Sequence, residues 1–492
     1  MLSLESATES LRKHNQEHLL TFFAELDEPE RANLLSQLGE IDFQQLGDLI
    51  RSYLAGQTQI GMPKDIMPAP ILPAAPKPGR QGRPEASAAE QLGLADAGAD
   101  LLEVYRHARR RGRELISAGK VAALVVAGGV GTRLGFAGPK GCLPATPVKR
   151  KTLFQLFAEQ MLATGRLCRT RLPWYVMTSR ANDAATRKFF ADNDFLGLNR
   201  DDVTFFCQGR MPTVGTDGKI LLARKHEIAM SPDGHGGSLA ALHRSGALED
   251  MARRGVEYVS YFQVDNPLVR CLDPLFIGLH AQAGADVSAK ALPKRHPLEK
   301  LGNFCMADGK VAVIEYSDLP EELAYATRDD GTLLFGAGSI AIHVFSRPFI
   351  ERLTGGSCRL PLHCARKKVP HVGPTGVVVE PAEPNAVKFE MFVFDAMPLA
   401  DKVLLLETAR SEEFSPIKNA DGEDSIATSL RDQVRRAANW LESAGVRVPR
   451  DANGEIAAAI EISPLFALDA AQLAEKVDAG MTIKPGDQVY LE

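Results

Sequence analysis

The sequence predicts an α/β fold: a central mixed, mostly parallel sheet flanked by helices, with a helical segment before it and a small domain after it. Three observations predict this class. From Val121 onward, short apolar runs of strand length alternate with helical stretches. The runs are apolar nearly throughout, as strands covered on both faces are. A glycine-rich turn directly follows the first of them, where α/β sheets bind their ligands. The chain has 492 residues, 45% hydrophobic and 24% charged, with a formal net charge of −5. That length holds more than one domain, and that balance excludes a disordered chain and a general nucleic-acid binder.

Residues 1–60 read as a helical segment. Leu19, Leu20, Phe22, Phe23 and Leu26, then Leu34, Leu35 and Leu38, recur at helical spacing, and Asp42 caps a further helix through Leu46 and Ile50. Residues 61–88 hold the seven prolines that lie between Met62 and Pro84, which predicts a linker or an extended strap. The main α/β region, the part in which a ligand site is expected, spans 89–401. It opens on a helix over 89–118 carrying Arg106, Arg109, Arg110, Arg111 and Arg113 with nothing aromatic interleaved, which reads as a solvated face. Strands are expected at 121–126, 174–179, 203–208, 258–265 and 286–292, with amphipathic segments such as TLFQLFAEQML between several of them. Residues 402–492, with a helix through Leu430, Val434 and Trp440 and turns at DANGE and KPGD, predict a small separate C-terminal domain.

The opening MLSLESATESLRKHNQEHLL lacks the apolar core of a secretory signal, and no stretch reaches the ~18 apolar residues of a membrane span. Seven scattered cysteines, with no CxxC pair, read as reduced thiols. The chain is therefore expected in the cytoplasm, with no membrane and no nucleic acid as partner. Cys358, His363, Cys364 and His371 form the one cluster that suggests zinc, but the spacing fits no common site.

After the first strand stands AGGVGTRLGFAGPKG, residues 127–141. Gly128, Gly129 and Gly131 let the backbone approach a phosphate or a base, and Arg133 and Lys140 add positive charge. A dinucleotide fingerprint would need glycine where Leu134 stands, and a P-loop would need Ser or Thr where Gly141 follows Lys140. Dehydrogenase and ATPase readings fail on those two positions.

GGxGTRLG followed by PKG resembles the signature of nucleotidyltransferases that make nucleotide sugars. PWYVMTS, FFCQGRMP, PDGHGG, VDNPLVR, GADVSAK, EYSDL, KFEMFVFD and EEFSPIKNAD follow in order. Over nearly its whole length the chain is similar to the UTP-dependent sugar-1-phosphate uridylyltransferases, and most to the eukaryotic-type UDP-N-acetylhexosamine pyrophosphorylases. The resemblance implies a Rossmann-like nucleotidyltransferase fold, UTP and a hexose-1-phosphate as substrates, and Mg²⁺ as cofactor.

The implied reaction is attack by a sugar-1-phosphate oxygen on the α-phosphorus of UTP, with release of pyrophosphate. A phosphate monoester has its second pKa near ~6 and is already anionic at neutral pH, so no general base is required. What remains is to align two polyanions and neutralise charge, which calls for Lys, Arg, backbone N–H groups and a divalent cation. By resemblance, Arg133, Lys140 and Lys388 serve the phosphates and Asp265 holds Mg²⁺. Uracil is read by the backbone of Val126, Ala127, Gly128 and Gly129, by Gln208, whose amide offers a donor and an acceptor, and by Gly234. The sugar side takes His235, Glu315, Tyr316, Ser339, Phe392 and Phe394, with Lys418 on the sugar phosphate.

Two positions depart from the acetylamino-sugar pattern. His235 stands in the PDGxGG turn where those enzymes carry asparagine, as in the GHG turn of UDP-glucose enzymes, and Ser339 stands where they carry a second asparagine. The expected activity is formation of UDP-N-acetylglucosamine. The alternatives are a UDP-glucose pyrophosphorylase and an inactive nucleotide-sugar-binding regulatory protein, the latter disfavoured by the presence of Lys140 and Asp265.

Overall fold

The computed structural model describes residues 2–54, 63–74, 93, 100–356, 360–478 and 480–492. The chain forms two units, each built from separate stretches: Met1–Pro63, Gln208–Ala240 and Arg359–Asp395 in the smaller, and Lys64–Cys207, Ala241–Cys358 and Ala396–Glu492 in the larger.

The larger unit holds a ten-stranded sheet: β1 (Ile66–Pro68), β2 (Val121–Val126), β3 (Trp174–Thr178), β4 (Val203–Cys207), β5 (Tyr258–Gln263), β6 (Val287–Pro293), β7 (Asn303–Ala307), β8 (Lys310–Ile314), β9 (Ala337–Ser346) and β10 (Val403–Glu407). The order is β1-β7-β9-β5-β2-β3-β4, with β8 on β7 and β6 joining β9 to β10. Strands β5, β2, β3 and β4 run parallel, as do β6 and β10. Strand β9 is antiparallel to both β5 and β6, and β1, β7 and β8 are antiparallel neighbours. The five apolar runs are β2 to β6, and the sheet is mixed, with helices on its parallel part as expected.

Parallel neighbours need crossovers, and helices Leu153–Cys168 and Asp183–Asp192 supply them between β2, β3 and β4. The first starts where the Thr152 side chain accepts the Gln155 N–H and stops at Arg169, which is left-handed at φ 53°. Its Phe154 packs on Trp174 and Phe190 at centroid distances of 6.2 and 5.1 Å, in a core continuous with β2, β3 and β5. Aromatic contacts of this kind add about 0.5–1.5 kcal/mol each beyond the area they bury. The helix expected over 89–118 is described over Leu101–Ser117, capped by Asp100. Residues 75–92 and 94–99, which include the start of that expected helix and much of the expected strap, lie outside the described residues.

Helix Ile426–Ser443, capped by Ser425, packs Trp440 and Leu441 on the parallel pair Ala459–Ile462 and Gln488–Leu491. This region grips the loop after the glycine turn: the Glu461 carboxylate accepts the N–H groups of Val148 and Lys149 at 2.8 and 2.7 Å.

In the smaller unit, helices Leu4–Lys13, Glu28–Gly39 and Phe43–Leu54 bury Leu11, Leu34, Leu38, Leu46 and Ile50 against Val214, Leu222, Val387 and Phe389. Asp42 accepts the Gln45 N–H at 2.9 Å, the cap read from sequence. A sheet of His363–Lys367, Ala386–Glu390 and Val214–Gly215 carries this core. The N-terminal helices thus support the strand that leads into KFEMFVFD. No helix among the described residues is long and apolar enough to cross a membrane.

Candidate active site

In the larger unit the glycine turn leaves β2 at Val126. It is pinned at both ends: Gly131 N–H donates to Gly138 O at 2.9 Å, and Lys140 N–H to Gly129 O at 3.1 Å. A Cβ on Gly129 would meet nothing within 4 Å, whereas one on Gly141 would stand 2.1 Å from the Phe154 ring. The first glycine therefore faces open space and the last permits close packing. Arg133 is exposed in the short helical turn Thr132–Leu134.

Asn182, 1% exposed, holds this turn. Its Nδ2 donates to Ala127 O at 2.8 Å and Gly129 O at 3.1 Å, while its Oδ1 accepts the Ser179 N–H at 2.8 Å. One amide thus fixes the direction of two carbonyls in the segment assigned to uracil. Sequence reading passed over Asn182; the available signal was a polar residue four positions after β3, which otherwise reads as a helix cap.

At the end of β5, Asp265 lies beside Lys140, with Nζ to Oδ2 at 3.5 Å and side chains 17% and 14% exposed for the lysine and the aspartate. The Ile417 N–H donates to the Asp265 carbonyl at 2.8 Å, which brings Lys418 alongside. Asn266 makes the join firm: its Nδ2 donates to Glu413 O at 2.7 Å and its Oδ1 accepts the Ser415 N–H at 3.1 Å. Lys418 Nζ stands 3.8 Å from Asp424 Oδ2. Burial pushes the Asp424 carboxyl up, Lys418 and Arg410 oppose this, and the Asp265 charge adds to it. Lys140, Asp265, Lys418 and Asp424 therefore share one electrostatic neighbourhood.

Behind them, the fully buried Lys290 ammonium sits between Asp273 at 2.7 Å and Glu413 at 2.5 Å. Lys290 and Arg270 hold the Asp273 carboxyl well below the usual carboxylate range against the effect of burial. Strand β9 bulges opposite Lys290, with Ala341 at φ 55°.

Glu315 and Ser339 both border Gly302: a Cβ there would stand 3.5 Å from Glu315 Oε1, and Ser339 N–H donates to Gly302 O at 2.8 Å. Tyr316, next to Glu315, is 36% exposed.

The smaller unit carries Gln208, Gly234, His235, Lys388, Phe392 and Phe394. Gly234 has φ 82°, and a Cβ there would stand 2.3 Å from Met391 O, so only glycine fits. Two bonds of 2.8 Å, Gly236 N–H to Met391 O and Met391 N–H to Asp233 O, lace PDGHGG to KFEMFVFD. Phe392 lies between two stacked histidines, with centroids 5.3 Å from His235 and 4.2 Å from His363, and Phe394 is 5.8 Å from His235. Val393 N–H donates to His235 Nδ1 at 3.2 Å, so the neutral ring carries its proton on Nε2. Burial, and then the nearby His363, lower the His235 pKa to about 4. His363 bonds Asp395 at 2.7 Å; sequence reading weighed His363 only for zinc. Cys358 lies outside the described residues, and among those described no group of three His, Cys, Asp or Glu could hold a metal ion. Lys388 is half-buried on Ala386–Glu390, opposite Ala365. Gln208 directly follows β4.

An α/β sheet with a glycine turn after β2 and a lysine–aspartate pair at that turn and the adjacent strand end defines a nucleotide-handling enzyme of the transferase kind. The chain belongs to the UTP–glucose-1-phosphate uridylyltransferase family, whose model matches residues 97–431. That membership makes it a uridylyltransferase. It is 38% identical over 486 residues to the human UDP-N-acetylhexosamine pyrophosphorylase-like protein 1, covering 94% of this chain and 93% of that one. It is 39% identical over 350 residues to the UDP-N-acetylglucosamine pyrophosphorylase of Saccharomyces cerevisiae, covering 69% and 73%. The crystal structure of the uridine diphosphate N-acetylglucosamine pyrophosphorylase from Trypanosoma brucei superposes with TM-score 0.80 at 26% identity, over 99% of this chain and 98% of that one.

Proposed function

We propose that the protein transfers the uridylyl group of UTP to N-acetylglucosamine-1-phosphate, releasing pyrophosphate and UDP-N-acetylglucosamine. The observation that carries this reading is the grouping of Lys140, Asp265 and Lys418 by the bonds between 265–266 and 413–417. Lys140 offers a cation to the transferring phosphate, Lys418 offers one to the sugar phosphate, and Arg133 adds charge for the leaving pyrophosphate. The turn from Val126 to Gly129, fixed by Asn182, presents its backbone to the uracil. Acceptance of the negative charge that builds up in the transition state is the main contribution such groups make to rate.

Mg²⁺ fits these residues. A magnesium site typically draws one or two carboxylates from the protein and the rest from phosphates and water. Asp265 is a partly exposed carboxylate whose charge reaches Asp424, and no all-protein cage is required. Bound there, the ion would neutralise phosphate oxygens.

The sugar assignment rests on the similarity to acetylamino-sugar enzymes along the length of the chain. Two positions favour glucose-1-phosphate as a second substrate: His235 is a neutral ring that keeps Nε2–H as a donor, and Ser339 stands where the acetylamino-sugar enzymes carry asparagine. The free thiols among the described residues and the phosphorylated substrates suit the cytoplasm. The test is a pyrophosphate-release assay with UTP, Mg²⁺ and a panel of sugar-1-phosphates. N-acetylglucosamine-1-phosphate should lead by a modest factor, and turnover of glucose-1-phosphate alone would overturn the acetylamino reading.

A further inference from the structure

The arginines of helix Leu101–Ser117 divide into two groups. Arg106 pairs with Glu103 at 3.2 Å, and Arg110 and Arg111 pair with Glu114 at 4.0 and 3.4 Å, all on the same helix. Arg109 and Arg113, one turn apart, make no ion pair with the described residues, and both line a cavity of about 360 Å³. That is the size of a small-ligand pocket.

The cavity owes its position to glycine. A Cβ on Gly112 would stand 1.8 Å from Pro274 O, and one on Gly278 would stand 1.7 Å from Ala108 O. The helices Leu101–Ser117 and Pro274–Ala283 therefore touch backbone to backbone, which sets Arg109 and Arg113 beside the segment 270–274. Of the three acids that share the cavity wall, two are held in ion pairs and the third caps a helix. Asp273 binds Lys290, Glu114 binds Arg111, and Asp469 accepts the Gln472 N–H at 2.9 Å as a helix cap. Arg109 and Arg113 are left without a direct ion pair among the described residues, although the Arg109 charge helps to hold the Asp273 carboxyl down. Thr164, 6% exposed and also in the wall, has a hydroxyl that makes no hydrogen bond with the described residues. Leu272, Pro274 and Leu468 supply an apolar side.

We propose that this cavity binds an organic phosphate, with the phosphate held by the Arg109 and Arg113 forks and the apolar body lying on Leu272 and Leu468. Guanidinium groups match phosphate oxygens in pairs, and an apolar wall next to them favours an ester over the bare ion. The site is distinct from the residues assigned to uridylyl transfer, yet it is connected to them. Gln160, in the cavity wall, bonds Val269 O and the Cys271 N–H at 3.0 and 3.1 Å, on the segment that begins at Asp265. Asp273 reaches Glu413 through Lys290. An occupant therefore acts on turnover through the segment that carries Asp265, a consequence that rests on the role proposed for Asp265.

Calorimetric titration of the full chain, saturated with UTP, with phenyl phosphate and separately with inorganic phosphate tests the site. Phenyl phosphate should bind one to one and more tightly than inorganic phosphate, and the double variant Arg109→Gln/Arg113→Gln should weaken it at least tenfold with basal turnover unchanged. Lys418→Ala should leave that binding intact. Undiminished binding by the arginine variant, or loss of binding in Lys418→Ala, would place the phosphate elsewhere and overturn the proposal, as would no binding at all. A change in kcat on adding phenyl phosphate that is equal in wild type and in the arginine variant would overturn the coupling alone.

Discussion

Replacing Asn182 by alanine should weaken UTP binding without touching any residue that carries charge to the phosphates. The side chain makes two strong bonds in buried surroundings, to Ala127 O and from the Ser179 N–H, both at 2.8 Å. Its Oδ1 also accepts the Ser179 hydroxyl at 3.1 Å, and its bond to the exposed Gly129 can be replaced by water. Stranding a buried polar group costs about 1–3 kcal/mol, so the two together cost about 2–4 kcal/mol after partial relaxation. Spent on the turn, that amounts to a rise in KM for UTP of about 30-fold or more, with the KM for sugar phosphate changed little. Asn182→Asp keeps the acceptor but turns a negative charge on two carbonyls, and should do worse than alanine. Steady-state pyrophosphate release at varied UTP and fixed sugar phosphate reads the effect, with a thermal melt beside it. A UTP KM within twofold of wild type, with the loss confined to the melting temperature, would refute the reasoning: Asn182 would then support the fold alone.

Lys140→Ala should lower kcat by a hundredfold or more while UTP binding weakens only moderately, since a charge-stabilising donor is worth about 2.7–4 kcal/mol in a preorganised site; single-turnover rates and UTP titration separate the two. Asp265→Asn keeps volume and removes the charge a hard dication needs, so the magnesium dependence of the rate should collapse while the melting temperature holds. For His235, the ordinary pKa near 6.5 falls to about 4 in the folded protein, so the unfolded chain takes up a proton first as the pH drops. Its stability contribution is complete above pH 6.5 and is lost on the way down to about pH 4, by up to about 1.4 kcal/mol per pH unit. His235→Asn should flatten the decline of the melting temperature between pH 7 and pH 5, and an unchanged slope counts against the assignment. Ser339→Asn should widen the preference for N-acetylglucosamine-1-phosphate over glucose-1-phosphate, measured as a ratio of kcat/KM, because it adds a two-sided amide next to Glu315.

Strands β2 to β6 were legible because burial on both faces writes itself as continuous apolar sequence. The glycine turn and Asp265 were legible because a sheet of this kind puts its chemistry at strand ends. Lys290 was not: within DVSAKAL it reads as one polar residue in a strand, and its burial is accounted for only by Asp273 and Glu413, far along the chain. The His363–Asp395 bond joins residues that no local pattern connects. Asn182 has the composition of any turn residue, and its task is defined by the carbonyls it meets. In the antiparallel part of the sheet, β8 was hidden because it is only half-buried over most of its length, and β9 because a bulge interrupts it.

The proline-rich strap has a consequence for how the protein behaves in a crowded solution. Residues 66–68 pair with β7, and Leu72 both donates to Leu405 O and accepts the Glu407 N–H, at 2.9 and 2.8 Å. One short segment thus finishes the rims of two separate strands. Pro68, Pro70 and Pro73 have no N–H to offer, so the rim it leaves is a poor template for a strand from another molecule. The same segment with β-branched residues in place of its prolines would restore those donors and turn a blunted border into an adhesive one.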